Sequence, residues 1–188
     1  MLKKILLGVA AVIVLFTIVV MTRPATFHIE RSIGVAAPPA AVFAQVNDFH
    51  TWAAWSPWEK LDPQMKKTFE GPATGVGSMY AWTGNDKVGE GKMTIQKSDP
   101  PSQVLIKLEF LKPFAATNTA TFTFAPAPEG SKVTWAMDGE NNFVAKAFSM
   151  FMDMDKMVGG DFEKGLAELK TIAETSAKSA PEPNAGIK

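Results

Sequence analysis

Between Ile5 and Met21 the chain carries seventeen residues without a charge, with only Gly8 and Thr17 among the apolar side chains. A helix in a soluble core keeps a polar face, and this run has none. At about 1.5 Å per residue it would reach about 25 Å, the short end of a bilayer core, with Lys4 and Arg23 placed to snorkel to the interfaces. The residues after Val20 (Met21-Thr22-Arg23-Pro24) lack the small-x-small pattern of a cleavage site. An uncleaved anchor over residues 5–22 is therefore favoured over a removed signal. The basic tail, residues 1–4, narrowly outweighs Arg23 and Arg31 on the other side. The expectation is a single-pass membrane protein whose folded part lies on the extracytoplasmic side.

Residues 177–188 are small, polar and proline-bearing and read as a disordered tail, which leaves 23–176 as one folded domain. That body holds 15 basic and 18 acidic side chains, so it is mildly acidic and has no electrostatic attraction for nucleic acid. Cysteine is absent, which removes thiol chemistry, disulfides and Cys-ligated metals. His28 and His50 are the only histidines, too few for a His-rich metal site, and no cofactor is expected.

Alternation dominates the body. Phe27, Ile29, Arg31, Ile33 and Val35 share one face of a strand, with His28, Glu30 and Ser32 on the other. Pro38-Pro39 open a short helix over Ala40–Val46, followed by an aromatic segment, Phe49 to Trp58, read as a short helix and a loop. Four or five antiparallel strands follow between turn signals. Their apolar faces are Val104/Ile106/Leu108/Phe110, Ala120/Phe122/Phe124 and Val133/Trp135/Met137. The period then changes: Val144, Phe148, Phe151, Val158, Phe162, Leu166, Leu169 and Ile172 recur at helical spacing, with a kink or close approach expected at Gly159-Gly160, or two helices in place of one. An antiparallel sheet with one face covered by a long C-terminal helix satisfies this order, an α+β class.

This order, together with Trp52-Ala53-Ala54-Trp55-Ser56-Pro57-Trp58, resembles the START/SRPBCC superfamily, and within it the membrane-anchored bacterial type of the polyketide cyclase/dehydrase-like family. Glu70-Gly71-Pro72 with Gly75-Val76-Gly77, Leu108 to Phe114, and Phe151 to Met157 carry the likeness further, over about 25–175. The resemblance implies a helix-grip fold: a curved sheet wrapped around the C-terminal helix, with an apolar cavity between them. It says little about chemistry, because the superfamily hosts carriers, cyclases and oxygenases alike.

No catalytic motif stands out. Gly84 to Gly89 is followed by Glu90 where a phosphate loop needs Lys, and Asp153-Met154-Asp155 lacks the later ligands of a calcium loop. Asp155, beside the apolar stripe, and Arg31, on the inward face of its strand, are the weak catalytic candidates. Asp155 would need a raised pKa to shuttle protons in a cyclisation, and a solvated or capping carboxylate is the plainer reading. Glu109 is expected to face solvent, and neither histidine has a visible partner.

The aromatics are more informative. Most large rings in a small domain are ordinary core. Taken with the implied cavity, Trp55, Trp58, Tyr80, Trp82, Phe110, Phe122, Phe124, Trp135, Phe148 and Phe151 are the candidates for its walls. The favoured reading is a tethered module that binds a hydrophobic small molecule (a lipid, isoprenoid or polyketide-like compound) and is not itself an enzyme. The alternatives are a cyclase or dehydratase acting on a cavity-bound substrate, and an interaction domain whose cavity is filled.

Overall fold

The computed structural model describes residues 1–179 of the 188. Its first helix, α1 (Leu2–Met21), has exposed apolar side chains along nearly its whole length until Val20, which is fully buried against the domain. It is long and apolar enough to cross a bilayer.

Strand β1 (Thr26–Val35) shows the alternation expected of a strand covered on one face, with Ile29 and Val35 buried. Helix α2 (Pro39–Val46) starts with proline in its first turn and buries Val42, Phe43 and Val46. Two 3-10 turns follow, Phe49–Ala54 and Pro57–Lys60, the first capped by Asp48, whose side chain accepts from the His50 N–H. Then come six strands, one or two more than expected: β2 (Lys66–Glu70), β3 (Met79–Thr83), β4 (Glu90–Asp99), β5 (Gln103–Lys112), β6 (Ala116–Ala127) and β7 (Gly130–Glu140). With β1 they form one antiparallel sheet, ordered β1-β7-β6-β5-β4-β3-β2. Register shifts in β4 at Glu90/Gly91 and Ile95/Lys97 are of the kind that bend a strand, and the sheet curves around the helical layer.

All neighbours being antiparallel, the start of β1 and the ends of β7, β5 and β3 lie at the same end of the sheet. That end receives α1 and is termed proximal here; the opposite end is distal.

The C-terminal helical stripe breaks earlier than the glycine pair implied. Helix α3 (Phe143–Phe148) is capped by Asn142, whose side-chain oxygen accepts from the Ala145 N–H at 2.9 Å. A new helix, α4 (Met154–Ser179), begins where the Asp153 carboxylate accepts from the Lys156 N–H. Gly159-Gly160 lies within α4, and Gly159 serves a close approach: a Cβ there would stand 2.2 Å from Arg31 Nη2. The helix runs to Ser179, three residues into the stretch expected as a tail; the rest of that stretch, 180–188, lies outside the described residues.

Helix α4 runs along β1 from the proximal end to the distal end. Arg31 bonds Asp155 and Glu163 early in the helix, and Lys170 and Glu174 later reach the Gly34 carbonyl and the Ala36 N–H. Phe162, Leu166, Leu169 and Ala173 pack on the inner face of the sheet with α2. This is the helix-grip arrangement, with the core between sheet and helices.

Candidate functional site

The sheet and α4 do not meet everywhere. Between them, in the proximal half, lies a partly open cavity of about 210 Å³. Strand alternation supplies most of its wall: Tyr80 and Trp82 of β3, Met93 of β4, Leu108 and Phe110 of β5, Ala120 of β6, and Trp135 and Met137 of β7. From the helical side come Val158 and Phe162 of α4, and Trp52, Ser56, Trp58 and Glu59 from the 3-10 turns and the short link between them. Met65, Lys87 and Val88 complete it. Three thioethers and seven large rings give a soft, polarizable surface suited to apolar matter.

Local backbone explains why space survives here. Gly91 has no side chain, and a Cβ there would collide with the Trp82 ring at 2.5 Å. Trp82 therefore lies flat over β4, and its indole N–H donates to the Val88 carbonyl at 3.0 Å. Gly89, at φ +64°, ends the preceding turn against the Lys112 carbonyl, where a Cβ would come within 2.2 Å. On the other side, stacking of Trp135 on Phe162 (centroids 4.2 Å) and on Phe122 (4.7 Å) closes the cavity off from the distal core.

Besides Ser56 and Lys87, a polar spot at Glu59 and Tyr80 interrupts the apolar wall. The Glu59 side chain is only 7% exposed; one carboxylate oxygen accepts from the Tyr80 hydroxyl at 2.7 Å, and the other pairs with Lys67 of β2. Burial and the adjacent Glu59 carboxylate push the Tyr80 phenol well above its usual range, so it stays protonated and donates. Each Glu59 oxygen keeps a lone pair free for a further donor. The indole N–H groups of Trp55 and Trp135 are buried with no acceptor among the described residues.

Of the residues anticipated from sequence, Trp58, Tyr80, Trp82, Phe110 and Trp135 line the cavity. Trp55, Phe122 and Phe124 are buried in the core beside it. Phe148 and Phe151 do not line it: they sit at the end of α3 and in the connector to α4, 50% and 78% exposed. Asp155 and Arg31 also lie outside the wall. Asp155 is 60% exposed and chelated by Arg31 Nη1 and Nη2 at 3.0 and 2.9 Å. Hydrogen bonding to the guanidinium holds its carboxyl below the usual range, the opposite of what a proton shuttle requires. Arg31, held by Asp155 and Glu163, clamps β1 to α4. Glu109 faces outward and is held ionised by Lys107 and Lys92. Both histidines have carboxylate partners that alternation did not reveal: His28 with Asp138, directly opposite on β7, and His50 with Asp48. Glu59, the one carboxylate in the wall, went unremarked in the sequence because it follows Trp58 in a turn without periodicity.

Among solved structures the fold recurs widely. The di-domain ARO/CYC StfQ from the steffimycin biosynthetic pathway superposes with a TM-score of 0.62 at 12% identity, covering 82% of this chain and 52% of that one. Protein CV1439 from Chromobacterium violaceum matches with a TM-score of 0.56 at 16% identity, over 80% of this chain and 99% of its own. The Aha1 dimer from Colwellia psychrerythraea matches with 0.56 at 16% identity, over 79% and 96%. No curated protein matches the chain. At such identities these likenesses concern the fold. The family model described as polyketide cyclase / dehydrase and lipid transport matches residues 26–174, which takes in every strand and most of α4, and the chain belongs to that family.

Proposed function

We propose that this protein is a membrane-tethered module that binds a compact apolar molecule carrying a hydrogen-bond donor at one end. The largely apolar cavity between sheet and helices carries this reading. Its volume of about 210 Å³ exceeds the roughly 150 Å³ of a dry cavity that takes up benzene and falls below the roughly 300–1,000 Å³ of drug-sized sites. One or two fused rings, or the end of an acyl or isoprenoid chain, match that size. Glu59 provides the acceptor for the ligand's hydroxyl or amine, and Tyr80 and Lys67 hold the carboxylate in place. Helix α1 supplies the tether, and the basic tail ahead of it favours a domain on the extracytoplasmic side.

A binding role fits better than catalysis, because Asp155 and Arg31 are committed to each other outside the cavity. A cyclase-type reaction would have Glu59 with its partners Tyr80 and Lys67, and Lys87, as the ionisable groups beside a bound substrate. The test is native mass spectrometry of the full chain in nanodiscs, wild type beside Leu108→Trp, with extraction of whatever is bound. A stoichiometric apolar adduct present in the wild type and absent from the filled variant is expected. Surrounding lipid is common to both, so identical adduct patterns would overturn the proposal and favour a filled interaction domain.

A further inference from the structure

The proximal end of the domain carries an apolar collar that the cavity does not explain. Phe143, Val144 and Phe148 of α3 are each about half exposed, and Phe151 and Met152 follow in the connector. Met154 and Met157 continue the surface into α4. Across from them, Leu111 and Phe114 flank the β5–β6 turn, and the Phe114 and Phe148 rings lie 6.3 Å apart, joining the two parts. Among the described residues that follow α1, nine of the twelve exposed large apolar residues belong to this surface, which is clustering rather than scatter.

Its place is set by α1. The last turn of α1 packs against α3, and Asn141, just ahead of α3, donates from its backbone to the Ala25 carbonyl and from its side chain to the Pro24 carbonyl. When the roughly 30 Å of α1 spans a bilayer, α3 has to sit at the lipid–water interface. The segments that carry the collar, 110–115 and 140–158, hold Lys112, Lys146 and Lys156 against Glu140, Asp153 and Asp155, so they have no net charge and insertion of rings and thioethers has to supply the attachment. Two cavity-wall residues adjoin the collar directly: Phe110 precedes Leu111, and Val158 follows Met157.

We infer that this collar is seated in the surface of the bilayer that α1 crosses, with the cavity wall at Phe110 and Val158 beside it. This rests on the tethering reading above, and one experiment separates the two. The chain has no cysteine, so single cysteines can carry an environment-sensitive dye. Four full-length variants are compared in phosphatidylcholine vesicles: Leu15→Cys in α1, Phe114→Cys and Phe151→Cys in the collar, and Val76→Cys in the exposed turn at the distal end. Each is titrated with phosphatidylcholine bearing a spin label near the head of its acyl chain. Strong quenching at 15, 114 and 151, with none at 76, is expected and would not weaken with added salt. Quenching at 15 alone overturns the collar and leaves the tether standing. Blue-shifted dyes at 114 and 151 that escape the lipid quencher assign the surface to a protein or a second copy, and overturn it too. Equal quenching at 76 also overturns it, and an unquenched label at 15 removes the tether and the collar together.

Discussion

The two ends of one sheet are built on the same alternation and finish differently. At the distal end, Ile95, Val104, Ile106, Phe122, Phe124 and Val133 meet α2 and the second half of α4, and all are at most 3% exposed. At the proximal end, Tyr80, Leu108, Phe110 and Met137 point inward in the same way and meet empty space. The difference comes from the helical layer. Phe43 of α2 packs edge-on against Phe124, 5.7 Å between centroids, whereas β3 is met by the 3-10 turns, through Phe49 and Glu59 on Tyr80. A sheet wider than the α-helices that cover it leaves a hole at that corner, and the Trp135–Phe162 stack stops the distal core from collapsing into it.

Truncation should separate the ends most sharply. Phe122→Ala removes a fully buried ring from close-packed surroundings and should cost about 3–5 kcal/mol. Phe110→Ala removes a ring that already lacks partners on its cavity side, and should cost about 1–2 kcal/mol. Urea unfolding of the full chain in nanodiscs measures both. Equal losses would mean that the proximal half is as densely packed as the distal half.

Enlargement reverses the sign of the comparison at a smaller scale. Ala173 is fully buried against α2 and the sheet, and Ala173→Leu should overpack that end at a cost of about 1–3 kcal/mol. Ala120 faces the cavity, and Ala120→Leu should be neutral or stabilising, by up to about 1 kcal/mol from newly buried methylenes. The same substitution should also weaken ligand retention. If both variants lose stability alike, the cavity is not available volume.

Much of this was legible in the chain. Strict alternation in β1, β5, β6 and β7 placed Ile29, Val104, Phe122 and Val133 on the inner face, and the change to helical spacing announced α4. Which inward residues would face emptiness was not legible. Phe122 and Phe110 follow the same rule along their strands, and only the tertiary placement of α2 and α4 tells them apart. The aromatic stripe misled for a geometric reason. Val144 and Val158 are separated by about four helical turns, so the spacing stays in phase across a break that redirects the chain. Asp153, an N-cap residue, was the available signal for that break. Glu59 was hidden differently, since a charged residue beside Trp58 in a 3-10 turn looks solvated until Tyr80 and Lys67 are seen around it.

On the outer face of the proximal end the effects should be smallest. His28 of β1 stands opposite Asp138 of β7, with Nδ1 2.7 Å from the carboxylate, and Nε2 lies 3.7 Å from Glu30. The hydrogen bond to Asp138 raises the imidazole pKa above its ordinary value of 6.5. Folding therefore favours the protonated ring. The added stability is complete below about pH 6.5 and is lost as the pH climbs through the higher folded-state value. The carboxylates that the fold holds ionised, Glu109, Asp155 and Glu174, titrate below their ordinary range and stay charged throughout this window. Both partners are more than half exposed, so the pair should contribute within the roughly 0.2–1 kcal/mol of surface ion pairs. Thermal unfolding of the full chain should accordingly show Tm slightly higher at pH 6 than at pH 8, with the His28-dependent part of that slope gone in His28→Gln. An unchanged slope in the variant would show that Asp138 does not distinguish the folded from the unfolded imidazole, and that the outer face contributes nothing to the contrast between the two ends.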